Sequence, residues 1–168
     1  MSNSPETPAG RFVRESKAEF SEYAMPNDAN PLGTVFGGKV MALVDLAGSI
    51  AAARHAKRAV VTASVDYMTF LYPIKIGQLI VCYSSVNRVF RSSMEVGVKV
   101  AVENLHTGEI RHTCSAYLTF VALGEDGRPS PITPVIPESD EEKRRFEDAL
   151  HRREMRLELK KRMQEGRY

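Results

Sequence analysis

The chain changes from a helical to an alternating hydrophobic pattern near residue 58. Between Gly38 and Ala56, apolar residues recur every three to four positions, which predicts one long helix. Farther along, apolar and polar residues alternate one by one, which is the period of a half-buried β-strand. The pattern predicts strands at Ala18–Ala24, Val60–Met68, Leu79–Phe90, Ser93–Glu103 and Arg111–Leu123.

The predicted helix is apolar on more than one face. One stripe holds large apolar residues, and a second face carries mostly small residues around Asp45. Such a helix is expected to be wrapped by a sheet rather than to lie on a surface. Because most strands are joined by short turns, the sheet is expected to be antiparallel, and the predicted fold class is α+β. The stripe consists of Val40, Leu43, Val44, Ala47 and Ile50.

The strand Ser93–Glu103 has the most regular alternation. Its even-numbered residues from Met94 to Val102 are expected to face the core. Glu95 and Lys99 are expected to face outward on the same strand. The alternation therefore predicts one buried and one solvated face.

The two ends of the chain differ from its middle. Residues 1–14 are typical of a flexible polar tail, and residues 15–132 are expected to form the folded domain. Residues 133–168 are interpreted as a proline-rich linker and a charged helix over 138–163, capped by Ser139 or Asp140. A narrow apolar seam favours a solvated helix, with subunit packing as the alternative. The seam consists of Phe146, Leu150, Leu157 and Met163.

Composition narrows the functional class. The 168 residues are 43% hydrophobic with a net charge of +2, so we expect a real core and no charge-driven nucleic-acid partner. No apolar run approaches the roughly 18 residues of a membrane span, and no signal-peptide core is recognisable. Cys82 and Cys114 are expected to be buried, reduced thiols. No spacing resembles a metal site, so a metal-free cytoplasmic protein is expected.

The start of the predicted helix combines a glycine pair with a carboxylate. Gly37 and Gly38 leave the backbone N–H groups of Gly38 and Lys39 open to an acyl oxygen. Asp45 follows Gly38 by seven residues, about 700° of rotation, and returns to nearly the same side of the helix. A polarised helix N-terminus and a buried Asp on one face predict an acyl-transfer site.

Three sequence motifs occur in order along the chain. They are Asn30-x-x-Gly33-x-x-Phe36-Gly37-Gly38-x-x-x-x-x-x-Asp45-x-Ala47-Gly48, Val61-Thr-Ala-Ser-Val-Asp66 with Phe70-x-x-Pro73-x-x-x-Gly77, and Arg91-Ser92-Ser93-Met94. Together they resemble the motifs of hotdog-fold acyl-CoA thioesterases, and are most similar to the cytosolic acyl-CoA hydrolase group. The resemblance covers about residues 15–132. Phe90 departs from it, since relatives often have Gly before the Arg/Ser turn.

The resemblance implies a sheet curled around the central helix and a site shared between subunits. Members of the family form dimers whose sheets join edge to edge, and commonly hexamers of three dimers. Asp45 is then expected to act as general base, with a nucleophilic role as the alternative. Asn30 from the other subunit would orient the water or the carbonyl. The Gly38 amide would hold the oxyanion.

The same resemblance implies where the substrate binds. The turn Arg91–Ser93 is expected to contact CoA phosphates and pantetheine, because a guanidinium suits phosphate geometrically. Arg128 is a weaker candidate near the nucleotide. Thr62, Ser64 and Asp66 are expected to point the same way, near the acyl tunnel and the subunit contact. The candidate substrate-binding residues are Gly37, Thr62, Asp66, Arg91, Ser92, Ser93 and Arg128.

Three alternatives stand beside thioester hydrolysis. A hydroxyacyl dehydratase on this fold would pair a His with a carboxylate, and no His lies between Asn30 and Asp45. A non-catalytic acyl-CoA-binding module is the main alternative, since hotdog folds host several functions. An interaction protein built on the C-terminal helix would leave the glycine–Asp face unexplained. The expected partners are acyl-CoA and further copies of the chain, without a cofactor, nucleic acid or membrane.

Overall fold

The predicted central helix forms and lies against one face of a five-stranded antiparallel sheet. The computed structural model describes residues 9–166. Four of the five predicted stripe residues, Val40, Leu43, Val44 and Ala47, are buried, and the α+β prediction is confirmed. The elements are β1 Arg11–Phe12, β2 Ala18–Tyr23, α1 Gly37–Ala56, β3 Val60–Phe70, β4 Leu79–Val89, β5 Ser93–Asn104, β6 Glu109–Ala122, β7 Val135–Ile136 and α2 Asp140–Gln164, with short 3-10 turns at Val13–Glu15 and Pro26–Asp28.

The order of the strands puts β3 at an edge. In the main sheet the strands follow the order β2-β4-β5-β6-β3, and every neighbouring pair is antiparallel. The helix α1 contacts all five of these strands, so the sheet curves around it as predicted. The outer side of β3 carries no partner strand among the described residues. An open edge of this length offers unpaired backbone groups to a second chain.

The second face of the sheet is covered in part by α2. On β5, residues Met94 and Val96 are buried in the core beneath α1. The intervening Glu95 is only 3% exposed, because Arg152 of α2 covers it. The prediction that Glu95 faces solvent is therefore wrong. Sequence alternation identified the two faces, but could not show that a helix from the far end of the chain lies on the second one.

The helix α2 docks through arginines more than through its apolar seam. Leu157 and Met163, two of the predicted seam residues, are 47% and 60% exposed. Ala149 is buried instead, and Phe146 packs against the edge of the core. The predicted cap is confirmed, since the Ser139 hydroxyl accepts a 3.2 Å hydrogen bond from the Glu142 N–H. Polar contacts therefore orient this helix on the sheet.

The folded part of the chain begins earlier than predicted. The strand Arg11–Phe12 pairs in parallel with Val135–Ile136, and Val13 is only 3% exposed. Part of the predicted tail therefore belongs to the fold, because the apolar residues at both ends of the domain bury each other. Residues 1–8 of that tail lie outside the described range. Within that range, no helix is both long and apolar enough to cross a membrane.

Candidate active site

A hydrogen bond joins the central helix to the edge strand. Asp45 lies in the middle of α1 and Thr62 near the start of β3. The Thr62 hydroxyl donates to Asp45 Oδ1 over 2.5 Å. In the single chain the Asp45 side chain is exposed, so the prediction of a buried carboxylate is not met within one subunit. Its side of the helix faces the open β3 edge rather than the sheet.

The first turn of α1 carries the glycine pair. Phe36 precedes the helix, and its carbonyl accepts a 2.9 Å hydrogen bond from the Lys39 N–H. The expectation that the Lys39 amide is open is therefore wrong. Gly38 is exposed, and among the described residues no acceptor is assigned to its N–H. A Cβ at this position would lie 2.6 Å from the Phe36 ring, so a side chain here would displace the ring.

The loop before the helix is closed by Asn30. Its Oδ1 accepts hydrogen bonds from the N–H groups of Leu32 at 2.9 Å and Thr34 at 3.1 Å. Its Nδ2 donates to the Thr34 hydroxyl at 2.9 Å. Because an amide nitrogen carries two hydrogens, one of them is left for another acceptor. The structure therefore does not join Asn30 to Asp45 within one subunit.

The loop is held against the helix by Lys39. The Lys39 ammonium pairs with Glu22 of β2 and, at 3.5 Å, with Asp28. The hydrogen bond that Lys39 donates to Glu22 raises the pKa of Lys39 above its ordinary value. The Phe36 N–H also donates to the Asp28 carbonyl over 2.7 Å. These contacts place the Asn30 loop directly beside the start of α1.

Asp66 lies on the opposite face of the sheet from Thr62. Register shifts in β3 between Thr62 and Ser64 break the strict alternation. Asp66 accepts hydrogen bonds from Ser64 at 2.5 Å and Thr119 at 2.6 Å, and pairs with Arg156 of α2 at 2.9 Å. Of the three residues predicted to point the same way, Ser64 and Asp66 do so, and the prediction is wrong for Thr62. Asp66 is not brought to Asp45 in this chain.

The turn Arg91–Ser93 lies between β4 and β5. The carbonyls of Arg91 and Ser92 each accept a 3.0 Å hydrogen bond, from the N–H groups of Ile132 and Ala122 respectively. The Arg91 side chain is exposed, and no acidic partner is assigned to it among the described residues. The backbone of the turn is thus anchored while its guanidinium faces outward.

Arg128 belongs to a neighbouring exposed turn. Its carbonyl accepts a 2.8 Å hydrogen bond from the Gly124 N–H, and its own N–H donates to Asp126 at 3.0 Å. The segment that follows Arg128 reaches the Arg91 turn through Ile132. The two candidate phosphate-binding arginines therefore lie on connected segments.

An apolar cavity of about 330 Å³ opens beside the first turn of α1. It lies between the helix and the connection from β3 to β4, and Gly37 forms part of its wall. Its walls are formed by Val35, Gly37, Val40, Phe70, Leu71, Tyr72, Pro73, Ile74, Thr113 and Cys114. A hydrocarbon chain is the kind of group that such a lining accepts.

Sequence reasoning missed the arginines of α2. Arg152 forms two hydrogen bonds to Glu95, of 2.7 and 3.0 Å, and Asn87 adds a third of 2.9 Å. Burial alone would lower the pKa of Arg152, but the bonds and charge of Glu95 outweigh it and raise the pKa. Arg156 lies four residues on and pairs with Asp66. Two arginines four residues apart lie on the same side of a helix, and this spacing in the sequence could have indicated that α2 contacts acidic groups.

The two thiols and the acidic groups form no metal centre in the described part of the chain. Cys82 and Cys114 are free and buried, which confirms that prediction. Desolvation raises the pKa of Cys82 to about 12 and that of Cys114 to about 11. Neither thiol is therefore set up as a nucleophile.

Comparison with known proteins consistently finds thioesterases and acyl-CoA thioester hydrolases. The family model described as the thioesterase superfamily matches residues 32–109. The chain is 43% identical over 159 residues to the uncharacterized acyl-CoA thioester hydrolase YkhA of Bacillus subtilis, covering 95% of this chain and 92% of that protein. A hexameric hotdog fold thioesterase of Campylobacter jejuni is 38% identical with a TM-score of 0.64, covering 74% of this chain and 92% of that one.

An acyl-CoA hydrolase from Staphylococcus aureus is similar over a longer stretch. Its structure with butyryl coenzyme A and coenzyme A has a TM-score of 0.87 at 35% identity, covering 93% of this chain and 95% of that one. Alanine variants of that hydrolase at an Asp, a Thr and an Asn have also been solved. Their Asn lies 15 residues before the Asp and their Thr 17 residues after it. The same spacings separate Asn30, Asp45 and Thr62.

Proposed function

This chain belongs to the thioesterase superfamily, and we propose from that premise that it hydrolyses acyl-CoA thioesters to CoA and the free carboxylic acid. The observation that carries the proposal is the Thr62–Asp45 hydrogen bond beside a glycine-rich helix start. Both features lie toward the open sheet edge. The matching spacing of Asn, Asp and Thr in the Staphylococcus aureus hydrolase supports the same assignment.

Asp45 acts as the general base in this proposal. The hydroxyl of Thr62 occupies Oδ1, so Oδ2 is left to accept a proton from a water molecule. That water attacks the thioester carbonyl, and the C–S bond of the tetrahedral intermediate breaks to give the carboxylic acid and the CoA thiolate. The thiolate takes the proton held by Asp45, which restores the carboxylate. The nucleophilic alternative would instead form an anhydride at Asp45.

The Gly38 N–H stabilises the oxyanion. It lies at the positive end of a 20-residue helix, and the neighbouring Lys39 N–H is engaged with Phe36. One donor placed at the developing negative charge contributes about 3–4 kcal/mol in comparable sites. Gly38 carries no side chain of its own, and the Phe36 ring lies where a Cβ would be placed, so a larger residue here would move that ring.

The site is completed by Asn30 of the partner subunit. Exposed apolar residues flank the Asp45 region, on α1 at Met41 and Leu46 and on β3 at Val61 and Val65. Together with the open β3 edge they form a surface suited to pairing with a second copy. Pairing there would enclose Asp45 and bring the free amide hydrogen of the partner's Asn30 toward it. Three such dimers would form a hexamer, the state named for the Campylobacter jejuni thioesterase.

The turn Arg91–Ser93 binds the CoA portion of the substrate. The guanidinium of Arg91 is exposed and suited to a phosphate, while Ser92 and Ser93 offer hydroxyl groups to the pantetheine arm. Arg128 on the adjoining segment adds a second cation. The apolar cavity beside Gly37 accepts the start of the acyl chain. Asp66 has no part in this proposal, since its carboxylate is engaged on the other face.

The test is thiol release by Asp45→Asn. Wild-type protein should release CoA thiol from a panel of acyl-CoAs, and Asp45→Asn should retain the fold but lose most turnover. Asp140→Asn removes an exposed carboxylate at the start of α2 and should keep wild-type turnover. Near-normal hydrolysis by Asp45→Asn would contradict the assignment of Asp45. Binding of acyl-CoA without any thiol release by the wild type would favour a non-catalytic binding module.

A further inference from the structure

We propose that Arg153 of α2 is a positioning residue that holds the turn Arg91–Ser93 in its CoA-binding conformation. The inference rests on the proposed function, because it concerns the turn assigned there to the CoA phosphates. It adds a role for the C-terminal helix, which otherwise has no part in the chemistry. From the face of the sheet opposite α1, the helix α2 would fix the shape of the binding turn.

Arg153 contacts both ends of the turn. Its guanidinium lies over the Phe90 ring, 4.1 Å from the centroid, and its Nη1 lies 3.5 Å from the Ser93 hydroxyl. A cation over an aromatic face is attractive, and the planar guanidinium can stack and donate at the same time. Arg91 lies between these two contact points in the chain. Its own side chain is exposed and is therefore free to reach a ligand.

The two ends of the turn are also tied to each other and to the domain. The Phe90 N–H donates to the Ser93 carbonyl over 2.8 Å. The carbonyls of Arg91 and Ser92 are held by Ile132 and Ala122. These bonds fix the backbone from one side, and Arg153 is the contact that restrains it from the side of α2. Removing Arg153 would therefore loosen the turn without removing any group that touches the substrate.

Arg153 itself is placed by its neighbours on α2. Arg152 forms an ion pair with Glu95 of β5, which lies two residues beyond Ser93. Its guanidinium also stacks on the Tyr117 ring, 3.8 Å from the centroid. Arg156, four residues after Arg152 and three after Arg153, pairs with Asp66. Both acids are nearly buried, so these ion pairs hold the helix axis in place over the sheet. Burial and the nearby Arg156 lower the pKa of Arg153, consistent with its close packing.

The experiment separates positioning from simple charge. Arg153→Ala removes both the cation and the stacking, whereas Phe90→Leu removes the ring and keeps every charge. We expect each variant to raise KM for acyl-CoA and Kd for free CoA about fivefold, with kcat within about twofold of wild type. The double variant should be no worse than either single one, because the two side chains act through each other. Lys160→Ala, which removes an exposed cation from the same helix, should bind CoA like wild type.

A second substrate sharpens the result. An S-acyl pantetheine keeps the pantetheine arm but lacks the phosphates that Arg91 binds, so Arg153→Ala should lower its kcat/KM less than it lowers that of the matching acyl-CoA. Unchanged KM and Kd for CoA in Arg153→Ala would overturn the proposal. The proposal would also be overturned if only Arg153→Ala weakened CoA binding, if high salt abolished the difference from wild type, and if Phe90→Leu bound CoA normally. That pattern indicates a long-range charge effect.

The outcomes also distinguish this inference from the proposed function. If wild-type protein binds CoA but releases no thiol, the hydrolase proposal fails, and calorimetry of CoA binding still tests Arg153. If wild-type protein neither binds CoA nor releases thiol, both are overturned. Circular dichroism and thermal unfolding of each variant verify the fold. Should Arg153→Ala fail to fold, Phe90→Leu provides the deciding measurement because it leaves all ion pairs of α2 intact.

Discussion

Thr62 donates a 2.5 Å hydrogen bond to Asp45 Oδ1, and this contact ties the edge strand to the middle of the central helix. The two residues are 17 positions apart in the chain and come from elements of different type. The bond occupies Oδ1 and leaves Oδ2 without this partner. In the proposed reaction, Thr62 would therefore orient the carboxylate of Asp45.

We predict that Thr62→Ala lowers kcat by about tenfold while Thr62→Ser retains most of it. A hydrogen bond to a charged group is typically worth about 1.5–3 kcal/mol, and the exposure of both residues places the effect at the lower end. The measurement is steady-state thiol release with one acyl-CoA. Equal turnover in the Ala and Ser variants would show that the hydroxyl does not orient Asp45.

Replacing Glu95 should destabilise the fold. Glu95 is 3% exposed and receives hydrogen bonds from Arg152 and Asn87. Glu95→Gln would leave the Arg152 cation without its counter-charge, so the free energy of unfolding should fall by about 2–4 kcal/mol. Glu147→Gln is the matched control, because its ion pair with Arg88 is long, at 3.7 Å, and the Glu147 side chain is 68% exposed. Urea unfolding measures both, and equal midpoints would contradict the prediction.

Stability should decline as the pH is lowered through about 6.5, and His55 contributes to that decline. His55 is buried, its Nε2 lies 2.9 Å from the Thr133 carbonyl, and desolvation lowers its pKa below the ordinary 6.5. The unfolded chain therefore binds a proton there before the folded one does, so acidification favours unfolding until the folded-state pKa is reached.

The measurement is the free energy of unfolding between pH 5 and 8. His55→Gln should be less stable than wild type near neutral pH and should show a shallower pH slope below pH 6.5. His106→Gln, at an exposed turn, is the control for changing a histidine. An unchanged slope in His55→Gln would mean that other groups account for the acid sensitivity.

Native protein should show no rapidly reacting thiol. Cys82 and Cys114 are buried, and desolvation raises their pKa values to about 12 and about 11. Ellman's reagent at pH 8 should therefore label neither cysteine until denaturant is added, when both should react. Fast labelling of the folded protein would contradict their burial. The same property leaves a thiol-release assay free of background from the enzyme.

Local pattern was sufficient for most of the fold. The helical stripe from Val40 onward and the alternation along β5 each follow from burying one face against a single neighbour. The site residues on one element were also recognisable, since Gly38 and Asp45 share a helix. Thr62 was assigned to the substrate region through the resemblance, but its bond to Asp45 was not foreseen. Pairing between elements depends on the register and on bulges such as the one after Thr62.

The sequence by itself determined the elements, the core faces and the glycine–Asp helix, because periodicity and helix geometry act over a few residues. Only the tertiary structure decided that Asp66 lies across the sheet from Asp45, and that α2 covers Glu95. Both results involve contacts between residues more than 50 positions apart, among them the ion pairs Arg152–Glu95 and Arg156–Asp66. Such contacts leave no periodic signal, because they depend on how distant elements pack and not on neighbours in the chain.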